Sequence, residues 1–197
     1  MIPIDSDLVS GLFIRGAVPS LTLRIDNLLM MQAQDVLKII QTLTAVGIQL
    51  WLDGGWGIDA LLGKQTREHS DVDLVIRLEQ VELARTSLQA VGYALVEDEL
   101  PTRFVMRHAT GLSIDFHPVY FDAQGDGIQQ LQDGTPFHYP ASGFTGHGMI
   151  AGVVVSCVTA EAQLLCHLGY EPGAKDQHDM RLLAASFQLS VPEQFQG

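Results

Sequence analysis

Arg67-Glu68-His69-Ser70-Asp71-Val72-Asp73-Leu74-Val75-Ile76 is the stretch on which the fold turns. Residues 72–76 read as a β-strand, and their unbroken apolar character predicts cover on both faces. Asp71 and Asp73 stand at its start, two residues apart, so their side chains share one face of a sheet. Their Cα atoms then lie about 6–7 Å apart, close enough for both carboxylates to reach one or two cations. Two such charges repel unless a cation holds them. Hard oxygen ligands with room left for water suit magnesium. Two metals about 3.5–4 Å apart are a recurrent device for in-line attack on a phosphoryl group. An Asp-x-Asp pair also occurs on ordinary solvated strands, so its neighbours decide the reading.

Upstream, residues 48–52 alternate as a strand, Asp53-Gly54-Gly55 is a turn, and residues 56–62 form a short helix stopped by Gly63. A turn without Cβ atoms lets backbone approach a ligand closely, and the N–H groups at a helix start suit phosphate. The plainer reading of Gly54-Gly55 is a tight turn. Downstream, residues 79–91 form an amphipathic helix capped by Gly92, and residues 93–97 a strand. Residues 103–108 and 112–117 form a hairpin about Ala109-Thr110-Gly111, followed by Pro118. Asp115 lies on that hairpin with Ser113 and His117 on its face. A strand beside Asp71 and Asp73 would bring it in as metal ligand, general base, or both.

Val36, Leu37, Ile40 and Leu43 repeat at helical spacing ahead of Gly47. Residues 122–148, rich in Gly, Gln and Asp, read as a long loop with room for short strands. Residues 152–158 read as a strand, and residues 159–168 and 176–187 as helices. The order is α+β: residues 1–30 form an extension outside the core, residues 31–158 the core, and residues 159–197 a helical segment.

The chain has 197 residues, 47% of them hydrophobic, enough for one packed domain. Its formal net charge is −12 with only 11 Lys and Arg, which argues against a nucleic-acid partner and suits a cationic small molecule. No apolar run is long enough to span a membrane, and the acidic N-terminus is unlike a secretory signal. Cys157 and Cys166 fit neither zinc spacing nor a disulfide framework, so the expectation is a cytoplasmic protein with reduced thiols.

Together these residues resemble the antibiotic nucleotidyltransferases of the DNA polymerase β superfamily. The resemblance rests on Trp51-Leu52-Asp53-Gly54-Gly55-Trp56-Gly57-Ile58-Asp59, on residues 63–74, and on Ile114-Asp115-Phe116-His117-Pro118. It continues through residues 161–165, His167, Gly169, Tyr170, His178 and Asp179, and covers residues 32–185. The small lincosamide nucleotidyltransferases are the nearest likeness, with the aminoglycoside 2″-adenylyltransferases second. The resemblance implies a polymerase-β-like core in which Asp71, Asp73 and Asp115 bind magnesium and Gly54 and Gly55 face the nucleotide phosphates. The implied reaction moves a nucleoside monophosphate, usually from ATP, onto an antibiotic hydroxyl with release of pyrophosphate. Where the superfamily commonly has Gly-Ser, this chain has Gly54-Gly55, so backbone amides or a cation must replace a serine hydroxyl. The resemblance also leaves room for a homodimer that completes the pocket.

Arg67 and Lys175 are further candidates for the phosphates, Arg67 through the geometry of its guanidinium. Trp56, Asp59, His69, His117, Tyr170 and His178 are candidates for substrate contact, each with a packing or capping role as the plainer reading. Glu97, Asp98 and Glu99 could supply acids to an acceptor pocket or form a solvated turn. Competing readings are an adenylyltransferase acting on a protein and a non-catalytic nucleotide-binding protein. An aminoglycoside needs several pocket acids, whereas a lincosamide needs one acid and an apolar wall.

Overall fold

A computed structural model describes residues 30–168 and 170–196; the expected extension over residues 1–30 lies, except for Met30, outside the described residues. β1 (Leu50–Asp53) leads into α2 (Gly54–Leu62), and the chain returns as β2 (Asp71–Arg77), antiparallel to β1. β2 pairs parallel with β5 (Ser113–Phe121), β5 antiparallel with β4 (Arg103–His108), and β4 antiparallel with β3 (Tyr93–Glu99). On the other side β1 pairs parallel with β9 (Val153–Cys157), whose antiparallel neighbour β8 (Gly146–Ile150) forms the edge. The order is β3-β4-β5-β2-β1-β9-β8, and β6 (Gly127–Gln130) and β7 (Pro136–Tyr139) extend from the far half of β5. This is the expected α+β mixed sheet flanked by helices.

The two faces are built differently. α1 (Ala33–Thr44) and α3 (Val81–Gln89) pack Val36, Leu43, Ala84 and Leu88 against Leu52, Val72, Leu74, Ile76, Ile114 and Phe116. Phe104 and Phe116 stack at 4.5 Å within that layer. Each such side chain taken from water stabilises the fold by roughly 1.5–3 kcal/mol. On the opposite face Trp51, Val75, Val119, Tyr139 and Val158 form a second cluster. The cover that the run 72–76 predicts is therefore present, with Asp71, Asp73 and Val75 on the second face. α4 (Ala160–Cys166) and α5 (Ala174–Phe187) pack Ala160, Leu164, Met180 and Leu183 against Ile58 of α2.

Three elements differ from the sequence expectation. β5 does not stop at His117; it runs through Pro118 to Phe121. Leu112 O accepts from His108 N, so even-numbered positions face β4. Pro118 falls between Phe116, the last of these paired with β4, and Tyr120, the first paired with β6, where a missing N–H removes no ladder bond. The stretch 122–148 is not mainly loop: it holds β6, β7, a 3₁₀ turn and β8, strands of four or five residues too short for their period to stand out. The helix expected over 176–187 begins at Ala174, with Gly173 N donating to Asp176 Oδ2 at 2.8 Å.

Gly148 shows how closely the edge hairpin is fitted. A Cβ there would overlap the backbone of Ala60 and come within 2.7 Å of Leu61 N on α2. Neither backbone can yield, so Gly148→Ala is expected to destabilise the fold by about 1–3 kcal/mol. Urea denaturation would read this as a lower midpoint at an unchanged slope.

Candidate active site

Register, not sequence spacing, assembles the acids. Asp53 lies opposite Asp73, and Asp73 opposite Asp115, so three carboxylates stand in one row across β1, β2 and β5. Asp53 is buried and caps α2, its Oδ1 accepting from Gly54 N at 2.8 Å. Asp73 and Asp115 remain as the pair that faces outward, with side chains 30% and 21% exposed. His117, two residues beyond Asp115, places Nε2 3.6 Å from Asp73 Oδ1. Ligand atoms of Asp73, Asp115 and His117 lie within 4.8 Å of one another. Two carboxylates and an imidazole at that spacing fit a divalent cation, the oxygen pair favouring a hard one.

Asp71 stands apart from this cluster. The sequence expects it beside Asp73, and the strand does give it the same face. Its side chain, however, is exposed at the strand start, with Ser70 Oγ 3.3 Å from Oδ1. His117 is the third member of the group whose ligand atoms lie within 4.8 Å, with Asp71 beyond it on the same strand face.

Charge compensation differs along the row. Arg103 donates to Asp115 through Nη2 at 2.9 Å and Nε at 3.3 Å, and its Nη1 reaches Glu97 at 2.9 Å. The hydrogen bond to Asp115 holds the Arg103 guanidinium firmly protonated. Burial raises the Asp73 carboxyl above its usual range; His117 offsets this in part, while Asp71 and Asp53 add to it. Burial would lower the His117 imidazole, but the hydrogen bond to Asp73 and the charges of Asp73, Asp115 and Asp53 raise it to about 9. Gln129 Nε2 donates to Thr102 O at 2.9 Å and lies 3.4 Å from His117 Nδ1. Tyr139 OH reaches Asp53 Oδ2 at 3.4 Å and Gln129 Oε1 at 3.3 Å.

The Gly54-Gly55 turn closes over Asp73. Gly54 has φ 55°, and a Cβ on it would overlap the Asp73 carboxylate. The first N–H groups of α2 have no acceptor within the helix and start at this turn. Beside it Arg67 is bound to Asp179, with Nε 3.0 Å from both carboxylate oxygens and Nη2 2.6 Å from Oδ2. The turn is braced from behind: His69 Nε2 donates to Asp59 Oδ2 at 2.5 Å, Thr66 N and Oγ1 donate to Asp59 Oδ1, and the Trp56 ring lies 4.8 Å from that of His69.

A cavity of about 720 Å³ opens on this row. Of the sequence candidates, Gly54, Gly55, Arg67, Asp73, His117 and Tyr170 line it, and Asp115 is reached through Arg103 on its wall. Trp56, Asp59 and His69 are buried beneath the turn, where they pack and brace and cannot touch a substrate. Lys175 and His178 are exposed on α5 and lie off the cavity wall. Glu97, Glu99 and Asp98 also lie off it, the first two holding Arg103 and the third Arg85.

Sequence reasoning missed Arg103, Gln129 and Tyr139, and it quoted Asp53 and Asp179 within the resemblance without giving either a role at the site. Only Arg103 had a usable signal. The 109–111 turn sets Val105 opposite Asp115, which puts Arg103 on the face of Asp115.

The family described as aminoglycoside-2''-adenylyltransferase matches residues 35–183. A lincosamide resistance protein of Staphylococcus haemolyticus is 29% identical over 150 residues, 76% of this chain and 92% of that protein. A 2''-aminoglycoside nucleotidyltransferase of Klebsiella pneumoniae is 31% identical over 135 residues, 67% of this chain and 72% of that protein. The crystal structure of a lincosamide antibiotic adenylyltransferase, LnuA, bound to lincomycin superposes with a TM-score of 0.71 at 28% identity, covering 79% of this chain and 98% of that one.

Proposed function

This chain belongs to the aminoglycoside-2''-adenylyltransferase family of nucleotidyltransferases, and from that premise we propose that it moves a nucleoside monophosphate from a nucleoside triphosphate, ATP by preference, to a hydroxyl of an antibiotic, a lincosamide before an aminoglycoside. The observation that carries the reading is the shared wall: the Gly54-Gly55 turn, Asp73 and Arg103 open on one drug-sized cavity.

Asp73 and Asp115, with Asp71 on the same strand face and His117 beside them, would hold magnesium. When bound, that ion neutralises the triphosphate and the departing pyrophosphate. The Gly54-Gly55 turn faces the phosphates, N–H groups from Gly55 onward at the start of α2 donate to phosphate oxygens, and Arg67 adds a cation at the same turn. The acceptor hydroxyl attacks the α-phosphorus, the bond to pyrophosphate breaks, and Asp115 accepts the hydroxyl proton. Arg103 keeps Asp115 pointed at that hydroxyl.

The cavity wall favours the lincosamide. Leu131, Tyr139, Cys166 and Tyr170 give it an apolar side. Of its acids, Asp53 caps α2, Asp73 stands in the carboxylate cluster, Asp179 is paired with Arg67 and Asp176 caps α5, leaving Asp133, whose Oδ1 accepts from Thr135, for an amine. Burial raises the Cys166 thiol far above the range in which it would ionise, so it serves as wall. The test is pyrophosphate release with ATP, magnesium and a panel of both drug classes. Turnover is expected with lincosamides first; release with a protein acceptor and none with any drug would overturn the assignment.

A further inference from the structure

The pair formed by Arg67 and Asp179 joins two parts of the chain 112 residues apart. Asp179 is 4% exposed in its side chain and Arg67 22%. A buried carboxylate left alone is costly, so this pair is not a transient surface contact. Its geometry is that of a fork: Nε and Nη2 both engage the carboxylate, and Nη1 donates to Glu68 O at 3.1 Å. All three nitrogens are fixed, so the guanidinium has one orientation.

That orientation sets the cation against the turn. Nη2 lies 2.6 Å from the position a Cβ would take on Gly55. Asp179 is itself referenced to the same helix, because its neighbours Met180 and Leu183 pack with Ile58 of α2. The start of α2, the cation and the carboxylate that holds it thus form one rigid unit on the cavity wall. Burial works against the Arg67 charge, but Asp179 more than offsets it, with smaller help from Asp59 and Asp71.

We infer that Asp179 is a positioning residue that holds the Arg67 guanidinium against the Gly54-Gly55 turn, so that cation and helix start form a single cradle for the polyphosphate of the nucleotide. The inference rests on the nucleotidyltransferase reading above and adds to it a residue on α5 whose carboxylate is taken up by Arg67. The cradle discriminates by phosphate count. A triphosphate spans both its parts, whereas a monophosphate reaches one.

The test compares ATP with AMP, each titrated with magnesium by calorimetry against wild type, Arg67→Gln, Asp179→Asn and the pair replaced together as Arg67→Met with Asp179→Leu. Each variant is expected to bind ATP about 10-fold more weakly, the scale of a charge-assisted contact, while AMP affinity changes little. The double variant is expected to lose no more than either single one. It also carries no unpaired buried charge, so it reports even where Asp179→Asn fails to fold. Equal weakening of ATP and AMP would make Asp179 a packing residue and overturn the inference. Weakening by Arg67→Gln alone, with Asp179→Asn like wild type, would overturn it while leaving Arg67 in its phosphate role. No effect from Arg67→Gln would remove Arg67 from the cradle, and the inference with it, without touching the carboxylate row, which pyrophosphate release tests separately.

Discussion

Asp73→Asn is expected to lower kcat for nucleotidyl transfer by about a thousandfold or more, with the protein still folded. Asp73 is the middle member of the row, beside Asp53 on one strand and Asp115 on the other. It lies on the cavity wall, directly under Gly54. An amide in its place keeps the shape but halves the charge offered to a divalent ion by the Asp73 and Asp115 pair. The stabilisation such an ion gives a developing phosphoryl charge is worth several kcal/mol, and each ~1.4 kcal/mol is a factor of ten in rate.

The stability side of the same substitution runs the other way. The folded carboxyl of Asp73 is raised by burial and by Asp71 and Asp53, with His117 in partial opposition. A raised folded pKa stabilises the fold below the unfolded value and loses that contribution as pH climbs through the folded one. At neutral pH the ionised carboxylate is therefore a cost to the metal-free fold, and Asn removes it. In chelator, Asp73→Asn is expected to melt no lower than wild type. Loss of transfer together with a clearly lower melting temperature would mean that Asp73 serves the fold first. Retained transfer would remove it from the chemistry.

What could be read from the sequence follows the range of each signal. Parity is local, so Asp71 with Asp73, and Asp115 with His117, fall on shared faces without any knowledge of pairing. The Gly54-Gly55 turn is also local, because a strand, two glycines and a helix are contiguous. Register is not local. Whether Asp53 and Asp115 stand beside Asp73 depends on how β1 and β5 align with β2, which no spacing in the chain states. The same applies to Asp179, whose partner lies on another element far along the chain. Trp56, Asp59 and His69 had the right neighbourhood and the wrong side: a nine-residue helix turns its faces within a few residues, those of Trp56 and Asp59 turn inward, and His69, ahead of β2, is buried against them. Gln129 and Tyr139 were hidden for a compositional reason. Their strands are four residues long within a Gly- and Gln-rich stretch, and only the pairing of β6 with β5 and of β7 with β6 defines them.

Gly55→Ser tests whether this site has room for the hydroxyl that the commoner Gly-Ser motif would place there. The added Cβ would overlap the His69 ring and stand 2.6 Å from Arg67 Nη2. His69 cannot retreat. Its ring is 3% exposed, bonded to Asp59 and set against Trp56, and its carbonyl accepts from Met31 N at 2.8 Å. The turn must therefore shift away from His69, and Arg67, which stands against the same Cβ, is displaced and leaves Asp179 buried without its cation. Overpacking of this kind costs roughly 1–3 kcal/mol, and breaking one side of a buried pair about 3–5 kcal/mol. A serine hydroxyl returns one hydrogen bond at about 1 kcal/mol. The balance is a loss of roughly 3–7 kcal/mol to the fold, and with the Arg67 cation displaced kcat/KM is expected to fall about 10-fold or more, at ~1.4 kcal/mol per decade. Most of that fall should appear in the KM for the triphosphate. The reverse outcome, a serine variant as active as wild type, would mean that the turn relaxes away from Arg67 without cost. The cation would then not be what takes the place of the hydroxyl at residue 55.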